Sequence, residues 1–216
     1  PKNYHKKAMR IGIIDYDMGN LHSVSKALAY LGVQGEITAK ITDDYDGLIL
    51  PGVGAFDPAI QHLRQRDLIT PLQRWVRQNR PFLGICLGLQ LLLTASAEGQ
   101  ERGLDVIPGQ VQPLRPTPGH PIPHMGWNQL HFVQRDCPLW RDLPTPAWVY
   151  FVHSYHAVPS DPGIVAATVE YGGETVTAAL GHGHCWATQF HPEKSGCVGL
   201  QILRNWLQYC VGRVPP

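Results

Sequence analysis

Cys86 lies inside the segment GICLGLQ, residues 84–90, which directly follows a short apolar run. A nucleophile that projects from a sharp turn between a strand and a helix needs small residues on both sides, because the turn is crowded. A helix that begins beside a thiol also lowers the thiol's pKa through its unpaired backbone N–H groups. The segment thus predicts a reactive thiol, although a buried cysteine that only fills space fits the same pattern.

His191 supplies a candidate base for this thiol. It follows an apolar run at residues 185–190 and precedes Pro192 and Glu193. A histidine at the end of a strand is presented at the sheet edge where the active sites of α/β proteins lie. A carboxylate two residues later can hold its imidazole ring. We therefore expect Cys86, His191 and Glu193 to meet at one rim of a sheet.

The pattern of apolar residues predicts the elements that would position these side chains. In the first half, strands are predicted at 10–16, 46–50 and 81–85, and helices at 21–31, at 56–79 with a break near Pro71, and at 87–96. This alternation indicates a mostly parallel central sheet with helices on both faces. After residue 99, a smaller antiparallel β portion is predicted, with strands at 149–152, 164–170, 175–180 and 185–190 and a closing helix at 198–210. The predicted fold class is α/β.

Composition excludes several classes of protein. The chain has 216 residues, with 18 Lys or Arg against 17 Asp or Glu, so we expect no nucleic-acid partner. The apolar run at 87–95 is too short to span a bilayer, and we expect no membrane association. Five cysteines without a CxxC pair favour a reduced, cytoplasmic protein that uses no metal or other cofactor. We expect one domain over residues 9–212, preceded by an extension at residues 1–8.

GICLGLQ together with QFHPEKS, residues 189–195, resembles the class I, triad-type glutamine amidotransferases. The resemblance implies a flavodoxin-like core, with Cys86 as nucleophile, His191 as general base and then acid, and Glu193 as the residue that orients His191. The loop PGVG at residues 51–54 resembles the family's oxyanion strand, although alone it would be an ordinary turn. The resemblance implies that backbone N–H groups stabilise the tetrahedral oxyanion at Gly52, Val53, Gly54 and Leu87.

Further stretches are similar to the glutaminase subunits of imidazole glycerol phosphate synthases in histidine biosynthesis. They are DYDMGNL at 15–21, PHMGWN at 123–128, FVHSY at 151–155 and HPEKS at 191–195. This resemblance implies hydrolysis of glutamine to glutamate and ammonia through a cysteinyl thioester. It also implies a (β/α)₈-barrel cyclase as partner, which receives the ammonia and forms imidazole glycerol phosphate and aminoimidazole carboxamide ribotide.

The resemblance assigns two further groups of residues. The glutamine pocket would be formed by Gly52, Gln90, Glu98, His153, Ser154 and Tyr155. The surface that faces the partner would include Asn20, Met125, Trp127, Asn128 and Lys194. Each has a simpler interpretation, because a tryptophan is often buried in a core and a lysine or glutamine is often only the polar face of a helix.

Two other functions fit the sequence. The chain could be the small subunit of another class I amidotransferase, with the same thiol chemistry and a different ammonia acceptor. It could also be a non-catalytic α/β binding module whose thiol senses redox state or is vestigial. For a glutaminase subunit that works with the cyclase, we further hypothesise that Val53 holds its peptide in a non-productive orientation until partner docking and ligand binding reorient it.

Overall fold

The computed structural model of the protein describes residues 8–212, so the predicted extension at residues 1–8 falls almost wholly outside the described residues. The helices are α1 Leu21–Tyr30, α2 Phe56–Gln65, α3 Ile69–Arg77, α4 Leu87–Gln90 and α5 Gly196–Val211. The strands are β1 Ile11–Ile14, β2 Gly35–Thr38, β3 Gly47–Leu50, β4 Phe82–Ile85, β5 Ala95–Ser96, β6 Gly109–Pro113, β7 His124–Gln129, β8 His131–Phe132, β9 Trp148–His153, β10 Tyr155–Pro159, β11 Val165–Tyr171, β12 Glu174–His182 and β13 Cys185–Thr188.

The main sheet has the strand order β2-β1-β3-β4-β13-β12-β11-β8. The strands from β2 to β13 in this order pair in parallel, while β12, β11 and β8 continue the sheet antiparallel. Two smaller sheets accompany it, with the orders β10-β6-β5 and β7-β9. The predicted α/β class, with a mostly parallel sheet and a smaller antiparallel β portion, is confirmed.

The main sheet is buried on both faces, because successive side chains of a strand point to opposite sides. In β1, Ile11 and Ile13 pack in one hydrophobic cluster with apolar residues of α1 and α5. Ile14 packs in the other cluster, with apolar residues of α2 and α3. Because β1, β3 and β4 are covered on both faces, all of their residues are buried. This two-sided burial explains why their sequences are nearly continuously apolar.

Two predicted helices differ from the observed ones. The helix predicted at 87–96 ends at Gln90, because the carbonyl oxygens of Leu91 and Leu92 accept hydrogen bonds from residues 104–107 instead of continuing the helix. The break predicted near Pro71 falls earlier, at Asp67, whose φ is 54°. Pro71 lies in the first turn of α3, where its missing N–H has no partner to lose.

The turn from β4 into α4 brings the thiol to the carboxyl end of the sheet. Cys86 lies in this turn with φ 56° and ψ −110°, a strained conformation for a residue with a side chain. A Cβ atom at Gly88 would collide with the carbonyl oxygen of Leu50, so the helix can approach the sheet this closely only with glycine there. The Cys86 N–H donates to Thr188 O at 2.8 Å, and this bond ties the turn to the end of β13.

Candidate active site

The structure places the side chains of Cys86, His191 and Glu193 together at this rim. His191 follows the end of β13, and Glu193 lies in the short 3-10 helix Pro192–Lys194. The Nδ1 of His191 is 2.6 Å from Oε1 of Glu193, and both side chains are 2% exposed. Since a carboxylate only accepts hydrogen bonds, Nδ1–H donates to it. The Nε2 of His191 is buried and makes no hydrogen bond within residues 8–212.

The protonation of His191 follows from its two neighbours. Burial lowers the pKa of the imidazole, but contact with Cys86 and Glu193 raises the pKa more, to about 9. The ring is therefore mainly imidazolium at neutral pH, with its charge held between the sulfur and the carboxylate. A protonated imidazole beside a thiol stabilises the thiolate and can later donate a proton to a leaving amine.

Gln189 also contacts the sulfur, a role that the sequence pattern did not predict. Its Nε2 donates to Cys86 Sγ at 3.6 Å, and the Sγ itself lies 3.9 Å from the carbonyl oxygen of Val152. One signal in the sequence would have pointed to Gln189. It is a polar residue at the end of an apolar run and lies two residues before His191, so in an extended chain both side chains lie on one face.

Two of the four predicted oxyanion donors, the N–H groups of Val53 and Leu87, are hydrogen-bonded to other backbone groups in this conformation. The N–H of Leu87 donates to the carbonyl oxygen of Gly52 at 3.1 Å. The N–H of Val53 donates to Met18 O at 3.0 Å, so the Gly52–Val53 peptide directs its carbonyl oxygen toward the thiol's turn. An oxyanion hole needs N–H groups at that position. The structure therefore has this peptide in an orientation that blocks an oxyanion.

A cleft of about 390 Å³ opens beside the thiol. Among the predicted oxyanion and pocket residues, those that line it are Val53, Gly54, Leu87, Gln90, Glu98, His153, Ser154 and Tyr155. Gly52 does not line the cleft, while Pro123 and Val152 do and were not predicted. Burial and the nearby Asp57 raise the pKa of Glu98, although the N–H of Phe56 lowers it in part. Glu98 offers the cleft an acidic group for a ligand's ammonium.

Gln90 has a fixed amide orientation in this cleft. Its Nε2 donates both protons, one to Tyr155 O at 3.1 Å and one to Gln189 Oε1 at 3.0 Å. Its Oε1 is consequently the atom that remains to accept a hydrogen bond from a ligand.

A pair of buried histidines, His124 and His153, supports the side of the cleft that Tyr155 lines. His153 Nδ1 donates to Tyr155 O at 2.8 Å, so its Nε2 must accept, and it does so from His124 Nδ1 at 2.9 Å. Burial lowers the pKa of His124 to about 4 and that of His153 to about 3. Both rings are therefore neutral at physiological pH, and His153 serves the cleft by holding the backbone at Tyr155.

The predicted partner-facing residues differ in exposure. On β7, Met125 and Trp127 are 62% and 54% exposed, and Trp127 packs edge-on against Tyr150 of β9. β7 pairs with β9 so that Met125 is opposite Val152, a residue that lines the cleft. Asn20 and Lys194 are exposed. Asn128 is half-buried and donates its amide to Glu170 O at 2.9 Å, so its side chain is used within the protein.

The other four cysteines differ from Cys86 in their surroundings. Cys137 and Cys185 are buried, and burial raises the pKa of each thiol to about 12. Burial raises the pKa of Cys210 as well, while Cys197 is exposed. Within residues 8–212, no group of His, Cys, Asp or Glu side chains could hold a metal ion. None of the helices in that range has the length and apolar character to cross a bilayer.

Comparison with known proteins agrees with this geometry. The sequence profile of the family described as "Glutamine amidotransferase class-I" matches residues 12–209. The chain belongs to the class I glutamine amidotransferase family.

Two relatives are more specific. The protein named "Imidazole glycerol phosphate synthase subunit HisH" of a Synechococcus species is 53% identical over 211 residues, which cover 97% of this chain and 98% of that protein. The protein of the same name from Synechococcus elongatus is 55% identical over 200 residues, 92% of each chain. Among solved structures, "Structure of PurLQS from Thermotoga maritima" superposes with a TM-score of 0.74 at 18% identity, covering 94% of this chain and 99% of that one. At that identity the likeness concerns the fold alone.

Proposed function

We propose that this chain is the glutamine amidotransferase subunit of an imidazole glycerol phosphate synthase, which acts in histidine biosynthesis. One observation carries the proposed chemistry. The Cys86 thiol lies beside an imidazole that Glu193 holds at 2.6 Å, at the edge of a cleft with polar groups. The names of the relatives support the choice of this synthase over other members of the family.

The reaction follows from the arrangement of these groups. The thiolate of Cys86 attacks the side-chain carbonyl carbon of glutamine, and the imidazolium of His191 donates a proton to the departing nitrogen. Ammonia leaves and a thioester with Cys86 remains. His191, now neutral, takes a proton from water, which attacks the thioester and releases glutamate. Glu193 keeps the ring oriented and stabilises its charge throughout.

The cleft supplies groups of the right chemistry for a zwitterionic amino acid. The carboxylate of Glu98 suits the ammonium group, and the free Oε1 of Gln90 suits an N–H donor of the substrate. The backbone at His153, Ser154 and Tyr155 forms the wall between them. We assign these residues to glutamine binding, together with Gly52, which precedes the cleft-lining Val53 in the chain.

The ammonia must reach its acceptor before it equilibrates with solvent, because in neutral water it is mostly protonated and not nucleophilic. We infer that a (β/α)₈-barrel cyclase covers the site and uses the ammonia to form imidazole glycerol phosphate and aminoimidazole carboxamide ribotide. The exposed side chains of Met125 and Trp127, beside the cleft, supply an apolar anchor of the kind found at the centre of interfaces. Asn20 and Lys194 would contribute polar contacts around it.

We further infer that residues 9–212 form a single domain, since both hydrophobic clusters pack on the two faces of one sheet. A cytoplasmic location is supported by the chemistry of the site, because the reaction requires a reduced thiol. The remaining cysteines are free as well.

Glutamine hydrolysis is expected to depend on the partner. In the isolated chain, glutamate release should be slow, because neither N–H group is free to bind an oxyanion. The N–H of Leu87 donates to Gly52 O, and the N–H of Val53 donates to Met18 O. Adding the cyclase and its ribulose-phosphate ligand should raise the rate at least about a hundredfold, the usual effect of gaining an oxyanion donor. Glutamate release is measured with the chain alone, with the cyclase, and with the cyclase and ligand. Equal rates in the three mixtures would contradict gating by this peptide.

A matched pair of aromatic variants tests whether the partner docks beside the cleft. Trp127→Ala should raise the cyclase concentration needed for half-maximal stimulation by about tenfold or more, as for a central interface tryptophan. Tyr30→Ala removes another exposed aromatic side chain, at the end of α1, and should leave that concentration unchanged. Stimulation by the cyclase without any response to its ligand would indicate a different ammonia acceptor.

A further inference from the structure

We propose that Gln189 is a further catalytic residue, which donates a hydrogen bond to the Cys86 sulfur and stabilises its thiolate. Gln189 is fully buried and directly follows β13. Its Nε2 is 3.6 Å from Cys86 Sγ, within the range of an N–H···S hydrogen bond. The effect on turnover rests on the proposed glutaminase reaction, but the contact with the sulfur can be tested without it.

The orientation of the Gln189 amide follows from a chain of obligatory partners. The carbonyl oxygen of Tyr155 can only accept, so the atom of Gln90 that faces it must be Nε2. The second proton of that nitrogen needs an acceptor, and Oε1 of Gln189 lies 3.0 Å away. With its oxygen directed to Gln90, Gln189 must direct its nitrogen to the sulfur. A backbone carbonyl thus determines which atom of Gln189 meets the thiol.

The sulfur needs a donor in this position. Cys86 is 6% exposed, and an anion that is largely removed from water is costly unless nearby groups compensate it. The carbonyl oxygen of Val152, 3.9 Å from Sγ, offers only negative partial charge. The groups that can compensate the anion are therefore the positive charge of the His191 ring and the Nε2–H of Gln189. A hydrogen bond to an ionised group is stronger than one between neutral groups, so its effect appears mainly when the thiol loses its proton.

The contact also couples the nucleophile to the ligand pocket. Gln90 lines the cleft and holds Gln189, and Gln189 holds the sulfur. A side chain that contacts the sulfur restricts the rotamer of Cys86 and also stabilises the negative charge of its thiolate. Gln189 is therefore expected to affect both the ionisation of Cys86 and the turnover of bound substrate, more than the affinity for substrate.

The test is the rate at which iodoacetamide alkylates Cys86 as a function of pH, in the full chain, read by mass spectrometry of the Cys86 peptide. Gln189→Glu keeps the shape and the acceptor for Gln90 but replaces the donor by an oxygen. Gln189→Met keeps the approximate volume and removes both hydrogen bonds. The exposed Cys197 reports in the same samples on general changes in reactivity.

Both variants should alkylate Cys86 about tenfold more slowly at pH values below the midpoint of the unsubstituted profile, and the midpoint itself should lie about one unit higher, as expected for the loss of a hydrogen bond to a charged group. The rate at Cys197 should stay the same. Gln134→Met is the control, because the side-chain amide of Gln134 likewise makes two hydrogen bonds within the protein, to the carbonyl oxygens of Gly163 and Gly181, but lies outside the cleft. It should leave the Cys86 profile unchanged.

An unshifted Cys86 profile in folded Gln189→Met would overturn the proposal. If neither variant folds, the unsubstituted chain decides. In glutamine-labelled protein, the NMR resonances of the Gln189 side-chain amide should shift with pH at the midpoint of the Cys86 alkylation profile. Resonances that do not change at this midpoint would overturn the contact. A shifted profile in a chain that never hydrolyses glutamine would keep the contact and refute only the proposed function.

Discussion

Cys86→Ala is expected to lower glutamate release by the complex with the cyclase about a millionfold, as when a triad nucleophile is removed. Alanine leaves the turn and its glycines in place but removes the atom that attacks glutamine. Because His191 and Glu193 then have no thiol to activate, little of their contribution should survive. The measurement is glutamate release at saturating glutamine.

Two controls separate this effect from damage to the fold or to the complex. Cys197→Ala removes the exposed thiol and should leave glutamate release unchanged. The Cys86→Ala complex should still form cyclase products when ammonia is added to the medium, because only the internal source of ammonia is lost. Residual hydrolysis near the level of the unsubstituted chain would refute Cys86 as the nucleophile.

Glu193→Gln has the second largest expected effect, a loss of about ten-thousandfold in glutamate release, similar to neutralising the carboxylate of a catalytic triad. The substitution nearly conserves the volume of a side chain that is 2% exposed. It removes the charge that, with Cys86, raises the pKa of His191 to about 9. An amide can also turn its donor toward Nδ1, which would hold the ring in the wrong tautomer.

The substitution of Glu193 should also shift the pH dependence of glutamate release in a defined direction. In the unsubstituted chain, His191 keeps its proton up to about pH 9, so the rate should fall only above that pH. In Glu193→Gln the pKa is lower and the fall should begin at a lower pH. The measurement is kcat/KM for glutamine against pH in the complex with the cyclase. Identical alkaline limbs in the two proteins would contradict the assignment of Glu193.

The same pKa shift predicts how the stability difference between these two proteins varies with pH. A histidine whose pKa rises on folding, here from 6.5 to about 9, contributes stability that is fully present below pH 6.5 and is lost as the pH rises toward 9. The difference in the free energy of unfolding between the unsubstituted chain and Glu193→Gln should therefore shrink over that interval.

The sequence predicted the parts of the molecule in which local pattern and chemistry agree. The apolar runs of β1, β3 and β4 carry the signal of strands buried on both faces, and the order of strands and helices indicated the parallel sheet. The small residues around Cys86 and the HPE segment at 191–193 are short-range features as well. Their meeting followed from one topological rule, that the carboxyl ends of parallel strands share an edge.

The sequence did not predict features that depend on competition between distant segments. The apolar residues at 87–93 suit a helix, but the carbonyl oxygens at residues 91–93 accept hydrogen bonds from the backbone N–H groups of residues 104–107. The orientation of the Gly52–Val53 peptide depends on Met18 and Leu87, and no local pattern encodes it. The role of Gln189 was not predicted, because the orientation of its amide depends on hydrogen bonds that link it to Gln90 and, through Gln90, to Tyr155. Local propensity gives way to tertiary contacts in each case.

The central claim is that Cys86 attacks a glutamine bound in the adjacent cleft. The most direct measurement uses a glutamine analogue that carries an electrophilic ketone in place of the amide, incubated with the complex of chain and cyclase, followed by mass spectrometry of the digested chain. The analogue should label the Cys86 peptide alone, and excess glutamine should slow the labelling. Labelling of another residue, or of Cys86 at a rate that glutamine does not change, would contradict the account.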